Sequence, residues 1–386
     1  MRKLLLPLMI ALLLVSGCKW MRGDSKDNIE PPTELVDIDA SIGIDKAWSR
    51  DIGDTEGRHG LRKPPTVADG RVLVGDLEGK VVAIDAASGS ELWQVESAVR
   101  IASAAGVGDG LAVFGGMDGE VIALDLETGA ERWRSSVSSE VLAAPALARG
   151  VVVVRSYDGR LFGLDAADGK RRWLYDRGVP SLTLRGNSAP VIAGGTVYAG
   201  YDDGRVVAVR LEDGAPAWEQ VVAIGEGRTD LDRMVDVDGM LGLGAAEVYA
   251  VTYQGQVAAL ATESGQPLWT REFSSYGGLA LAGDRVLVTD ADGVVFALDR
   301  RSGTALWKMD ALKYRWPTTP AVQGNHAVVG DLEGWLHWID LDSGKLAGRT
   351  RIGRDAIRAA PVVSADGALF AITVDGDLAA LRITQP

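Results

Sequence analysis

Residues 116–133 read GMDGEVIALDLETGAERW. A near copy, GDLEGKVVAIDAASGSELW, occupies 75–93, and another, SYDGRLFGLDAADGKRRW, occupies 156–173. The shared skeleton is a turn glycine, a short strand, a second glycine and a tryptophan. Leading glycines stand at Gly79, Gly119, Gly159, Gly204, Gly255, Gly293 and Gly334. The second set is Gly89, Gly129, Gly169, Gly214, Gly265, Gly303 and Gly344, followed by Trp93, Trp133, Trp173, Trp218, Trp269 and Trp307. The seventh copy has Gly348 in place of tryptophan, and an eighth starts at Gly376 and stops before its second glycine. Steps of 38 to 51 residues between leading glycines fall in the range of propeller blades.

Each unit reads as four strands. In the first, TVA, RVLVG, KVVAID and ELWQVE are separated by DG, DLEG and AASGS. Short β-branched runs between Asp-Gly and Ser-Gly turns are the signature of hairpins. One such sheet cannot bury both faces, whereas a ring of them can. The eighth unit lacks its last strand, and the segment IDKAWSRDIG, with Trp48 in the docking context, can supply it. The expected fold is therefore all-β: an eight-bladed β-propeller of four-stranded antiparallel blades over 41–386, closed by an N-terminal strand that completes the last blade.

Composition removes several function classes. A net charge of −13 argues against a nucleic-acid groove. Only His59, His326 and His337 are present, too dispersed for a histidine metal site or general base. The G-x-G of GLGAAEVYAV opens onto a strand, so it is no dinucleotide loop. The acidic turns DLEG and YDDG are expected to be solvated hairpins and not calcium loops. Residues 1–17 combine a basic start with an apolar core and read as a secretory signal. Small residues lead into Cys18, the one cysteine of the chain, as in a bacterial lipobox. Acyl chains on Cys18 would anchor the protein to a membrane. The polar stretch 18–40 reads as a flexible tether.

If the repeat is frame, function belongs where it is interrupted. Two glycine steps are long: 45 residues from Gly159 to Gly204 and 51 from Gly204 to Gly255. Both excesses lie between the last strand of one blade and the first of the next, so both face one side of the ring and flank blade 4. The first holds SLTLRG, with Leu182, Leu184 and Arg185; the second holds DLDRMVDVDG, with Asp236 and Asp238. Two leucines beside an arginine suit an interface hot spot. Singly, the leucines could equally pack inward, and the aspartates could cap turns or pair with Arg185; taken together, the patch points to binding.

The phrase A-x-D-x-x-S/T-G-x-x-x-W resembles the tryptophan-docking motif of quinoprotein dehydrogenases, which hold PQQ with calcium. That resemblance implies an enzyme, but a motif present in every blade cannot mark a single cofactor site, and the cysteine pair of those enzymes is missing. A closer likeness comes from the lipobox, the eight-fold docking repeat, PSLTLRG, DLDR…DVD and VVGDLEGWLHWI. Together they resemble the BamB family, lipoproteins of the outer-membrane β-barrel assembly machinery. This implies a non-catalytic scaffold without cofactor apart from covalent lipid on Cys18. Its partner would be the POTRA domains of BamA, with unfolded β-barrel clients as a further one. By motif, the partner-contacting positions are Leu182, Leu184, Arg185, Asp236 and Asp238. Lys19 after the lipidated cysteine, by resemblance to Gram-negative lipoproteins, implies the periplasmic face of the outer membrane. A general envelope-binding propeller is the third reading.

Overall fold

The computed structural model describes residues 30–54, 59–178, 188–225, 228–229, 231, 233–237 and 239–385. Among these there is no α-helix; the chain forms eight four-stranded antiparallel sheets. Blade 1 spans 66–96, and its strands Thr66–Ala68, Arg71–Gly75, Lys80–Asp85 and Glu91–Glu96 are those the repeat predicts. Blades 2 to 7 follow over 106–136, 146–176, 191–221, 242–273, 279–309 and 321–351. Blade 8 takes three strands from 362–384 and its outer strand from Gly43–Asp51. That outer strand pairs with Asp377–Thr384 along its length, Gly43 opposite Thr384 and Asp51 opposite Asp377. The ring closes as the truncated eighth repeat requires.

The core lies between blades. Leu73, Val81 and Trp93 of blade 1 pack with Phe114, Ile122 and Leu126 of blade 2, and the pattern recurs around the ring. Each docking tryptophan donates its indole N–H to a backbone carbonyl of the next blade: Trp133 to Ala166 at 2.8 Å, Trp173 to Leu211 at 2.9 Å and Trp48 to Ala86 at 3.0 Å. The indole face rests on the second glycine of that blade. At Gly169, φ is +71°, and a Cβ would stand 2.5 Å from the Trp133 ring, so glycine is required twice over. The tryptophan combines a large apolar area with a satisfied polar handle.

Blade 7 lacks a docking tryptophan on its outer strand and carries one a strand further inward. Elsewhere the residue opposite the tryptophan is small, as Ala83 is to Trp93 and Ala123 to Trp133. In blade 7, Trp338 stands opposite Gly348, fully buried, with its indole N–H donating to Gln323 Oε1 at 2.7 Å. The reason is closure. Blade 8 has no hairpin before its outer strand, hence no docking glycine, and Ile42 and Ile44 of the N-terminal segment lie against Gly348 instead. The docked part of the chain begins before residue 41: the Thr33 N–H donates to the Lys313 carbonyl at 3.1 Å, and Leu35 packs on the cluster between blades 6 and 7.

Candidate partner-binding surface

Because strands alternate in direction, the connections between blades share one face with the turns that join the second and third strands of each blade. The connections are 97–105, 137–145, 177–190, 222–241, 274–278, 310–320, 352–361 and, across the closure, 52–65. In blades 1, 2, 4 and 7 the second strand ends in glycine, and a connection drops an apolar wedge onto it. Ile101 sits on Gly75, Val141 on Gly115, Val237 on Gly200 and Ile357 on Gly330. Main-chain bonds lock the arrangement, such as Ile101 N–H to Asp76 O at 3.1 Å and Val141 N–H to Gly116 O at 3.0 Å.

Blades 3, 5, 6 and 8 lack that glycine, and of these blade 3 puts a charged residue there. The residue at the glycine position is Arg155, which crosses to blade 4 and pairs with Asp202 at 2.8 Å, both side chains almost wholly buried. Its guanidinium lies 5.3 Å from the Tyr201 ring centre, and that of Arg177 lies 5.9 Å from it. Burial raises the Tyr201 phenol well above the usual range. Arg177 also pairs with Asp203 at 3.1 Å and with Glu219, whose other oxygen accepts from the Tyr175 hydroxyl at 2.6 Å. The Tyr175 hydroxyl and the Arg177 guanidinium hold the Glu219 carboxyl below its ordinary value. Beside this network lies a recess of about 370 Å³, walled by Asp203, Arg205, Ile224, Arg233 and Met234 among others.

The two long connections meet here, where the Ser188 hydroxyl donates to the Gly239 carbonyl at 3.0 Å. Of the residues singled out from the sequence, Leu182, Leu184, Arg185 and Asp238 lie outside the described residues, as does Cys18. Asp236 is described and fully buried. Its carbonyl accepts from the Tyr253 N–H of blade 5 at 3.0 Å.

Two expectations need revision. The leading aspartates of the acidic turns are not solvated, although Glu78 in the first of them is exposed. Asp76 is buried, its Oδ1 accepting from the Glu78 and Lys80 N–H groups, both at 2.9 Å. Asp331 is wholly buried, bound by Arg315 Nε at 2.8 Å and His337 Nε2 at 3.0 Å. Wedges from neighbouring connections cover these turns, so the carboxylates cap them from inside. The second revision concerns length. The closing connection 52–65 escapes a glycine-to-glycine count because it joins the two ends of the repeat. Leu61 is buried against Ala102 and Leu142, with Leu77, Met117 and Tyr157 around it. Arg62 donates to the Tyr276 carbonyl between blades 5 and 6 at 2.6 Å. The segment therefore bridges opposite sides of the ring across its mouth. RHGLRKPP carries no periodic signal that could have shown this.

These features define a class: tryptophan-docked eight-bladed propellers, here with one face elaborated around blade 4. A family model described as outer membrane protein assembly factor BamB matches residues 34–114, 78–309 and 291–385. A protein of that name from Pseudomonas aeruginosa is 49% identical over 351 residues, 91% of each chain. Another from Xanthomonas campestris pv. campestris is 42% identical, covering 98% of this chain and 97% of its own. The chain belongs to the BamB family. The crystal structure of BamB from Moraxella catarrhalis superposes with a TM-score of 0.78 at 29% identity, over 87% of this chain and all of that one. Quinohemoprotein alcohol dehydrogenase from Comamonas testosteroni shares the fold at a TM-score of 0.71, with 14% identity over 88% of this chain and 76% of its own. That likeness concerns fold alone. Among the described residues no group of three or more His, Cys, Asp or Glu side chains could hold a metal ion.

Proposed function

We propose that this chain is a non-catalytic scaffold of outer-membrane protein assembly, tethered by lipid on Cys18 to the periplasmic face of the outer membrane. Its connecting face around blade 4 holds the POTRA domains of BamA, and unfolded β-barrel clients pass alongside. The observation that carries this reading is the convergence of the two long connections on one face, beside a recess and over a buried ion pair that departs from the repeat. Family membership supplies the assembly role. Capture of clients by strand addition at the blade rims is disfavoured. Every outer strand is bulged beside its tryptophan position, between the partners Ala83 and Ile84 in blade 1 and at Lys46/Trp48 in blade 8. A bulge interrupts the row of free backbone groups that an added strand would need.

Arg185 is the test. Removing one member of a charge pair at a partly buried interface costs about 2–5 kcal/mol, roughly thirtyfold to several thousandfold in affinity. Arg185→Glu should abolish co-purification of BamA while the melting curve stays near wild type. Wild-type recovery of BamA, with Leu182→Ala and Leu184→Ala also silent, would place the contact elsewhere. The anchor is tested separately. Cys18→Ser should give a folded propeller that fractionates with soluble periplasm, and its retention on membranes lacking BamA would refute lipidation as the tether.

A further inference from the structure

Among the described residues, the large apolar side chains left exposed are unevenly placed. Leu92, Leu174, Leu268 and Leu306 lie on outer strands, and Val36 precedes the ring. The others are Ile224, Leu231 and Met240 between blades 4 and 5, Tyr276 between blades 5 and 6, and Trp316 between blades 6 and 7. All five are on the connecting face, on three successive connections. Resting on the reading above, we propose that the docking surface for the POTRA domains extends from blade 4 as an apolar arc to blade 7, with Trp316 as its far anchor.

The arc is physically continuous. Ser188, on the connection between blades 3 and 4, binds Gly239 on the first connection of the arc. Gly239 abuts the next so closely that a Cβ on it would stand 2.2 Å from Gly278 Cα. The Gly278 N–H in turn donates to Thr319 Oγ1 on the third connection at 2.8 Å. Tyr276 is steadied by stacking on Tyr253 at 4.7 Å and by Arg62, which binds its carbonyl.

Trp316 is 69% exposed and has φ +53°, a conformation that a bulky residue rarely adopts. Its neighbours impose this. Arg315 is buried and bound to Asp331, Glu333 and the Thr33 carbonyl, and its own carbonyl accepts from the Leu332 N–H. Tyr314, also at positive φ, is fixed by its N–H to the Asp292 carbonyl at 2.7 Å. An indole held outward at conformational cost, contributing nothing to the core, is what a rigid interface anchor requires. The occupant is a folded protein surface with apolar side chains. An anionic lipid surface would be repelled by a chain of net charge −13.

The experiment titrates the full chain with the purified POTRA domains of its own BamA, with Arg185→Glu in parallel. Trp316→Ala should weaken binding about thirtyfold, the scale of an aromatic hot spot, and Tyr276→Ser and Met240→Asp by several-fold. Trp316→Gly should lose the same affinity yet melt no lower than wild type, because glycine adopts positive φ freely. Wild-type affinity for Trp316→Ala, with binding abolished by Arg185→Glu, overturns the arc and leaves the blade 4 site standing. Silence of both variants overturns the blade 4 site as well. Should Trp316→Ala keep its POTRA affinity but lose sedimentation with phosphatidylethanolamine–phosphatidylglycerol vesicles, the surface faces lipid and the proposal fails.

Discussion

Deleting residues 41–52 should leave a chain with no cooperative unfolding transition near the wild-type midpoint. The deletion removes the outer strand of blade 8 and every backbone pair it makes with Asp377–Thr384. It also removes Trp48, which docks on Gly89 of blade 1, donates to the Ala86 carbonyl at 3.0 Å and packs against Phe370 with ring centres 5.8 Å apart. On the other side it uncovers Gly348 and the rim of blade 7, which Ile42 and Ile44 cover. Truncating a core tryptophan costs about 3–5 kcal/mol. Trp48 is only partly buried, so Trp48→Ala alone should fall near the lower end. The deletion adds the lost ladder and opens the ring at its seam, a sum comparable with the roughly 5–15 kcal/mol that separates folded from unfolded domains. Guanidinium unfolding followed by circular dichroism measures it. A midpoint equal to wild type would mean that the seam closes by some other route.

Asp202→Ala should destabilise the chain by about 3–5 kcal/mol, the range for breaking a buried ion pair from one side. The variant takes from the Arg155 guanidinium, buried between blades 3 and 4, the carboxylate it pairs with at 2.8 Å, while the Ser188 carbonyl stays 3.4 Å from Nη1. Removing both charges should be milder. Arg155→Met with Asp202→Leu fills the space with apolar volume and should recover most of the loss. A double-mutant cycle on urea midpoints reads the coupling directly. Additive effects would mean that the pair contributes little and that Arg155 is held by something else. Because Asp202 and Asp203 line the recess beside the long connections, the single variant should also lower affinity for the partner by shifting that wall.

Much of the frame is legible in the chain. Strand limits in blade 1 coincide with those expected because each is bracketed by Asp-Gly or Ser-Gly turns and carries its own alternation. Closure through Trp48 was legible for the same reason: a repeat missing one strand and an orphan copy of that strand fit each other. Even the exceptions left a trace. Gly348 opposite Trp338 can be read as a tryptophan moved one strand inward, once the pairing register is known. Arg155 where the first two and fourth copies end RVLVG, LAVFG and TVYAG is a visible departure from the repeat.

The candidate surface divides differently. Local pattern marked blade 4, because insertions disturb a period and can be counted. It could not show that Asp76, Asp202 and Asp331 are buried, because what covers each is a residue from another connection or blade. Nor could it show Leu61 lying over the mouth of the ring, or Ile224, Tyr276 and Trp316 falling along one rim. The sequence by itself determined the number of blades, their strands and the seam, since these follow from backbone propensity and nearest-neighbour repetition. Only the tertiary structure decided which connections touch across the ring, because that depends on circular closure bringing together segments with no shared period.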